Sequence, residues 1–280
     1  LHAMKNDLKG KIVFVFQPAE EGAPLGEEGG AALMIKQGLI DKYGIQVMYG
    51  LHISSVVDAG SITYKPLGTM AAADQFSIKV KGKQVHGSRP WSGVDPIVTA
   101  AQIILGLQTI VSRQLDLTNE AAVITVGKIS GGVRNNIIPE EVEMIGTIRT
   151  LDTEMQKIVH EKIKLTAEKI AESTGATAEV KIHTGYPVTF NNPQLTAKML
   201  PSLEKAAGES NVRVVKATTG AEDFSFFAQK VPGLFFFLGG KPRDVDTLDA
   251  SQHHTPDFYI DESGFIVGMR ALAQLVIDTN

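Results

Sequence analysis

Cysteine is absent from the 280 residues, which removes disulfide staples and thiolate metal ligands together. A basic surplus is absent too. With 27 Lys and Arg against 31 Asp and Glu, a net charge of −4 and no clustered basic run, nucleic acid is excluded as the main partner, because phosphate binding needs a concentrated basic face. Uninterrupted apolar runs are short, the longest, such as Val231 to Gly239, being strand-sized, so no membrane partner is expected. Repeats and low-complexity tracts are missing as well. The opening Leu1 to Gly10 is neither an initiator start nor a signal peptide and reads as the tail of a helix running into a strand, so a preceding part is expected. The compartment stays open, with the cytoplasm as the default reading.

What is present fits a two-domain α/β chain. The continuously apolar Lys11 to Phe16 predicts a buried parallel strand, Gly30 to Gly38 a helix and Val47 to Ile53 a second strand, together a βαβ unit. From about Ala73 the pattern turns to one-face-wet strands. Phe76 to Lys81 alternates, and Asp95-Pro96 opens a helix with Ile97, Ala100, Ile104, Leu107 and Val111 at helical spacing. Strands at Ala121 to Ile129 and Glu141 to Arg149 follow. Asp152 to Gln156 then opens a long helix with Thr153 and Gln156 as a capping box, and Glu179 to His183 is a strand. That order, β-α-β-β-α-β, is the ferredoxin-like module, inserted as residues 73–186 between 1–72 and 187–280. After Phe190 the first style returns: Asn192-Pro193 caps a helix to about Ala207, Gly220 to Gln229 forms another, Gly233 to Leu238 is a buried strand, and Asp261 caps a terminal helix to about Ile277.

Glu20 and Glu21 stand where the first strand leaves the core, and His52 ends the second. Adjacent acids repel unless a cation or a proton-transfer role compensates. Carboxylate and imidazole from separate strand ends are ligand chemistry for zinc and its neighbours. The plain alternatives are an acidic first turn of a helix for the two glutamates and a satisfied core histidine for His52. His253 and His254 form a loop doublet before Thr-Pro. His86 in Val85-His86-Gly87 fits a substrate contact or a solvated loop. Asn136 and Arg149 fit contacts to a substrate carboxylate, Arg149 equally a cross-strand salt bridge. Glu222, beside Asp223, fits either an acidic helix start or a carboxylate that orients a ligand histidine.

These stretches, Gln17-Pro-Ala-Glu-Glu-Gly22, Gly50-Leu-His52, Val85-His86-Gly87, Asn136-Ile-Ile-Pro139, Gly146-Thr-Ile-Arg149, Gly220-Ala-Glu-Asp-Phe224 and His254-Thr-Pro-Asp-Phe258, together resemble the M20 metallopeptidase family. Within it they are similar to the amidohydrolase branch of aminoacylases, hippurate hydrolases and auxin-conjugate hydrolases. The resemblance implies Glu20 as general base and Glu21, His52 and His254 as ligands of one or two divalent ions. Zinc leads, with Mn, Co or Ni as alternatives. It further implies His86, Asn136 and Arg149 as substrate contacts, and a homodimer formed through the inserted lid and dimerisation domain. The implied reaction is hydrolysis of an N-acyl amino acid by metal-activated water, or of a dipeptide or C-terminal residue as in other members. Family members carry a Cys/His/Asp-containing ligand segment ahead of the Glu-Glu strand, and this chain starts after it. The expected fold is therefore an incomplete metallopeptidase-type α/β sheet. The rival expectation is a non-catalytic fragment or binding module.

Overall fold

The computed structural model describes residues 1–24 and 26–279. The first elements are α1 (Gly30–Lys36), α2 (Leu39–Tyr43), β1 (Met48–Asp58), β2 (Ile62–Tyr64) and β3 (Leu67–Met70). Next come β4 (Ala72–Lys81), β5 (Val85–His86), α3 (Pro96–Thr109), β6 (Ala122–Gly131), β7 (Ile137–Ile138), β8 (Glu141–Thr150), α4 (Thr153–Ser173) and β9 (Thr177–Tyr186). The last are β10 (Thr189–Asn191), α5 (Pro193–Ala207), β11 (Val212–Val214), α6 (Phe224–Ala228), β12 (Gly233–Lys241) and α7 (Phe265–Thr279). The chain forms two compact units: unit 1 is Leu1–Met70, Thr189–Thr218 and Glu222–Asn280, and unit 2 is Ala71–Val188 and Thr219–Ala221.

Unit 1 is built on a mixed sheet ordered β1-β12-β2-β11. β1 runs parallel to β12, with His52 opposite Phe237. α5 and α7 cover one face through Leu195, Met199, Leu203, Ala271 and Leu275, packed on Ile62, Leu234, Phe236 and Leu238. A second cluster joins Ala31, Met48, Phe224, Phe227 and Phe235. Gly50 makes it possible: a Cβ there would lie 2.7 Å from the Phe224 ring, so the missing side chain lets α6 settle on β1 two residues before His52.

The strand expected at Lys11 to Phe16, and with it the first βαβ unit, does not form. The segment has no ladder partner among the described residues; instead the Lys11 ammonium donates to the Tyr43 carbonyl at 3.2 Å, Val15 packs on the second cluster, and Phe14 and Phe16 are exposed. Apolar content alone does not make a strand when no neighbour receives its N–H and C=O groups. The helix expected over Gly220 to Gln229 shrinks to α6, while β2, β3, β10 and β11, three or four residues each, carry no periodicity signal at that length.

Unit 2 runs β4, α3, β6, β8, α4, β9, with short β5 and β7 paired to each other. Its sheet is ordered β6-β8-β4-β9, and all neighbours are antiparallel. The Asp95 carboxylate accepts the Ile97 and Val98 amides at 2.8 and 3.2 Å, which starts α3. The expected face packs on the core through Ala100, Ile104, Leu107 and Val111, joined by Ile103, while Ile97 in the first turn faces outward. With the π turn that follows, residues 96–114 are long and apolar enough to cross a membrane, a length that counting uninterrupted apolar runs overlooked. Here Ala100, Ile103, Leu107 and Ile110 are instead packed in the core of unit 2.

The expected capping box at Thr153 is replaced. Asp152 itself accepts the Met155 amide at 2.7 Å, and Gln156 donates instead to Asp74 Oδ2 at 2.7 Å. Asp74 is fully buried and also bonds His160 Nε2 at 2.7 Å and the Gly185 amide at 3.1 Å. Burial alone would raise its pKa, but the bonds from His160, Gln156 and Gly185 outweigh burial and hold it below 3.8. A depressed carboxylate contributes stability above its unfolded pKa and loses it as pH falls through the folded value. Asp74→Ala should cost about 3 kcal/mol at pH 7, measured by urea unfolding. The gap to the parent chain should narrow as pH drops below about 4.

Candidate metal and carboxylate site

The loop carrying Glu20 and Glu21 is fixed from far along the chain. Asp223, buried at the start of α6, accepts the Ala31 amide on Oδ2 at 2.6 Å and the Gln17 side-chain amide on Oδ1 at 3.3 Å. It thus caps α1 from a distance of 192 residues in sequence. Gly30, at φ 64°, fits against it: a Cβ there would lie 2.4 Å from Asp223 Oδ2. Between these anchors Glu20, Glu222 and Asp223 present carboxylate oxygens within 4.8 Å of one another.

Three acids this close cannot all stay ionised without compensation. Burial, then the neighbouring Glu20 charge, pushes the Glu222 pKa up to about 8, although the Phe224 amide, 3.2 Å from its Oε1, opposes the shift. Glu20 is raised as well, by burial first and then by the charges of Glu21 and Asp223. Both Asp223 oxygens already serve amides, and the raised pKa values of Glu20 and Glu222 show the mutual repulsion that a proton or a cation would relieve. The Glu222 carboxylate is thus faced by carboxylates and the Phe224 amide, not by a histidine it would orient.

The imidazoles gather beside this group. His52 Nδ1 meets the Ile53 carbonyl at 2.5 Å; a carbonyl only accepts, so Nδ1 carries the proton and Nε2 keeps a lone pair for a cation. His254 Nε2 lies 3.7 Å from Glu21 Oε1, and both side chains are open to solvent. His253 differs from its neighbour. Its Nε2 accepts the Ser55 amide at 3.3 Å, and its ring lies 4.9 Å from Phe258 and 5.2 Å from His52. Burial lowers its pKa, and His52 and His254 add to the effect. Among the described residues, two of the three non-glycine positions with left-handed backbone lie here, Ala19 at φ 55° and His254 at φ 61°, a conformation that costs on the order of 1 kcal/mol or more and concentrates at functional sites.

Glu20, Glu21, His52, His254 and Glu222 therefore converge within unit 1. Asp223 and His253 were singled out in sequence only as halves of doublets, and structure gives each a distinct task. In unit 2, His86 and Asn136 are neighbours: His86 pairs with Ile137, and the Gly87 amide donates to the Asn136 carbonyl at 2.8 Å. His86 Nδ1 is engaged by the Ser88 hydroxyl at 2.8 Å. Arg149 stands on β8, opposite Ala73 and Val123. It forms no salt bridge among the described residues; its Nη1 donates to the Thr147 hydroxyl at 2.5 Å and the Ile148 carbonyl at 3.0 Å.

The profile of peptidase family M20/M25/M40 matches residues 1–278. The chain belongs to this family. It is 36% identical over 281 residues to an N-acetyl-L-cysteine deacetylase of Bacillus subtilis, covering 99% of this chain and 63% of that protein. It is 37% identical over 274 residues to thermostable carboxypeptidase 2 of Saccharolobus solfataricus, covering 98% and 67%. A dinuclear metal-binding peptidase of the M20 family from Bacillus subtilis superposes with a TM-score of 0.77 at 31% identity, over 98% of this chain and 67% of that one. The chain thus spans about two thirds of the length of these M20 relatives, whose names are those of hydrolases.

Two outcomes follow from the carboxylate geometry. Gly30→Ala should lower stability by about 2 kcal/mol, measured as the urea midpoint, because the side chain displaces Asp223 and occupies a left-handed position. Because the folded pKa of Glu222 is raised, the metal-free chain binds an extra proton when folded and loses stability as pH climbs from about 4.5 towards 8. Glu222→Gln should flatten that loss, and melting curves from pH 5 to 8.5 with chelator present check it.

Proposed function

We propose that the protein containing this chain is a metal-dependent amidohydrolase that removes the acyl group from N-acyl amino acids. The observation carrying this reading is the convergence of Glu20, Glu21, Glu222, His52 and His254 from four separate stretches onto one face of unit 1. The donor set fits a divalent cation: clustered acids that otherwise need a proton, an imidazole with its tautomer fixed, and oxygen and nitrogen donors of the type zinc accepts. Glu21, His52 and His254 would hold the ion, with zinc favoured and Mn, Co or Ni as alternatives.

When bound, the cation supplies Lewis-acid polarisation of the amide carbonyl and acidifies water. The protein's own groups do the rest. Glu20, its pKa raised by burial and by Glu21, would act as the general base that takes a proton from water and delivers it to the leaving nitrogen. Glu222 shares the charge of Glu20 and tunes it. His86, Asn136 and Arg149 are proposed as contacts to the substrate's carbonyl and carboxylate, Arg149 being a forked cation with no carboxylate partner of its own among the described residues.

Unit 2 is read as the ferredoxin-like inserted domain, on its β-α-β-β-α-β order and its β6-β8-β4-β9 sheet. It is also read as the dimerisation element, since β6 ends that sheet with an open edge. A carboxypeptidase reading is the second candidate, supported by the 37% identical relative of that name; N-acyl amino acids and dipeptides offered side by side separate the two. The decisive test uses the full-length protein. Glu20→Gln should reduce kcat by about 100-fold or more while divalent-metal content, measured by elemental analysis, stays at the parent level. Hydrolysis that survives in this variant, or under complete metal removal, would overturn the proposal.

A further inference from the structure

We infer that Thr147 is a positioning residue that sets which edge of the Arg149 guanidinium is offered to a substrate carboxylate. The inference rests on the proposed role of Arg149 as the carboxylate contact. Thr147 and Arg149 are two apart on β8, so both project from the same face of the sheet. The Thr147 hydroxyl has one proton, and it goes to the Asp74 carbonyl at 3.2 Å. Its lone pairs are thereby turned towards Arg149, whose Nη1 donates to them at 2.5 Å. The second Nη1 proton is taken by the Ile148 carbonyl at 3.0 Å.

The consequence is an arithmetic of donors. A guanidinium carries five N–H groups in a planar fork. With both on Nη1 consumed by β8 itself, the remaining three lie on Nε and Nη2, and one from each of these nitrogens forms the parallel pair that grips a carboxylate in bidentate fashion. A free arginine side chain must be ordered before it can do so; this one is already held at its far corner, which reduces the freedom lost on binding. Asp74, whose carbonyl receives the Thr147 proton, is itself locked by His160, Gln156 and the Gly185 amide. The chain of contacts therefore ends in a buried and rigid group, not in solvent.

The test uses the full-length protein with its metal, an N-acyl amino acid, and the same compound with its carboxylate converted to the amide. Thr147→Val should raise KM for the carboxylate substrate roughly 5-fold, with kcat within about 2-fold of the parent. The amide substrate should be unaffected, and Thr147→Ser should restore the parent KM because it keeps the hydroxyl. Thr147→Ala serves in place of the valine variant if the latter fails to fold, as judged by its melting temperature. Equal losses on both substrates, or an unchanged KM in Thr147→Val while Arg149→Met raises it, would overturn the positioning role. An unchanged KM in Arg149→Met would instead remove the carboxylate reading of Arg149 on which the inference stands.

Discussion

The carboxylate of Asp223 is the constraint on which the arrangement of unit 1 turns. Its burial would be costly for an isolated charge, and the chain meets that cost with two amides brought from 192 and 206 residues away in sequence. One of them opens α1, and the other belongs to Gln17, three residues before Glu20. The loop that displays Glu20 and Glu21 is thereby pinned at both ends to the start of α6, and α6 is itself seated on β1 through Phe224 and the bare backbone of Gly50. Because the same β1 carries His52, one anchor fixes carboxylates and imidazole in a common frame. That frame owes nothing to the ladder of a strand at residues 11–16.

The carboxylate cluster and the sheet of unit 2 divide the chemistry by type. Unit 1 gathers negative and imidazole groups whose pKa values are displaced by burial and by each other, the condition that attracts a cation. Unit 2 instead carries a buried acid, Asp74, that is fully satisfied by hydrogen bonds and held below the ordinary Asp range. The contrast separates a structural carboxylate from chemically poised ones. Asp74 has three donors, two from α4 and one from β9, whereas burial and the neighbouring acids raise the pKa of both Glu20 and Glu222.

Much of this was legible in the residues. Asp95-Pro96 and Asn192-Pro193 start helices where expected, with Asp95 and Asn192 accepting first-turn amides, because cap chemistry is local and needs no tertiary partner. The alternation of β4 is legible for the same reason, one face of the sheet being covered by α3 and α4. What failed was whatever depended on a partner elsewhere. Lys11 to Phe16 has strand composition without a neighbouring strand, and Gln156 has capping-box spacing but finds in Asp74 a buried acceptor that outcompetes the helix terminus. The strands β2, β3, β10 and β11 are fixed by pairing across long separations and leave no periodic trace at three or four residues.

The histidine doublet shows where sequence reading stops and geometry begins. His253 and His254 are chemically identical and adjacent, so composition and periodicity do not distinguish them, and in the sequence only the resemblance carried by His254-Thr-Pro-Asp-Phe258 does. The backbone separates them too: a left-handed turn at His254 sends the two rings in different directions. The first ring goes inward, where Phe258 and the Ser55 amide occupy it and burial keeps it neutral. The second goes outward to Glu21. An imidazole whose Nε2 already accepts a backbone N–H has only the other nitrogen to offer, and that one carries the proton in the neutral ring. The ring at 254, at a left-handed backbone position and beside Glu21, is the one proposed as a ligand, while its neighbour holds the loop against β1.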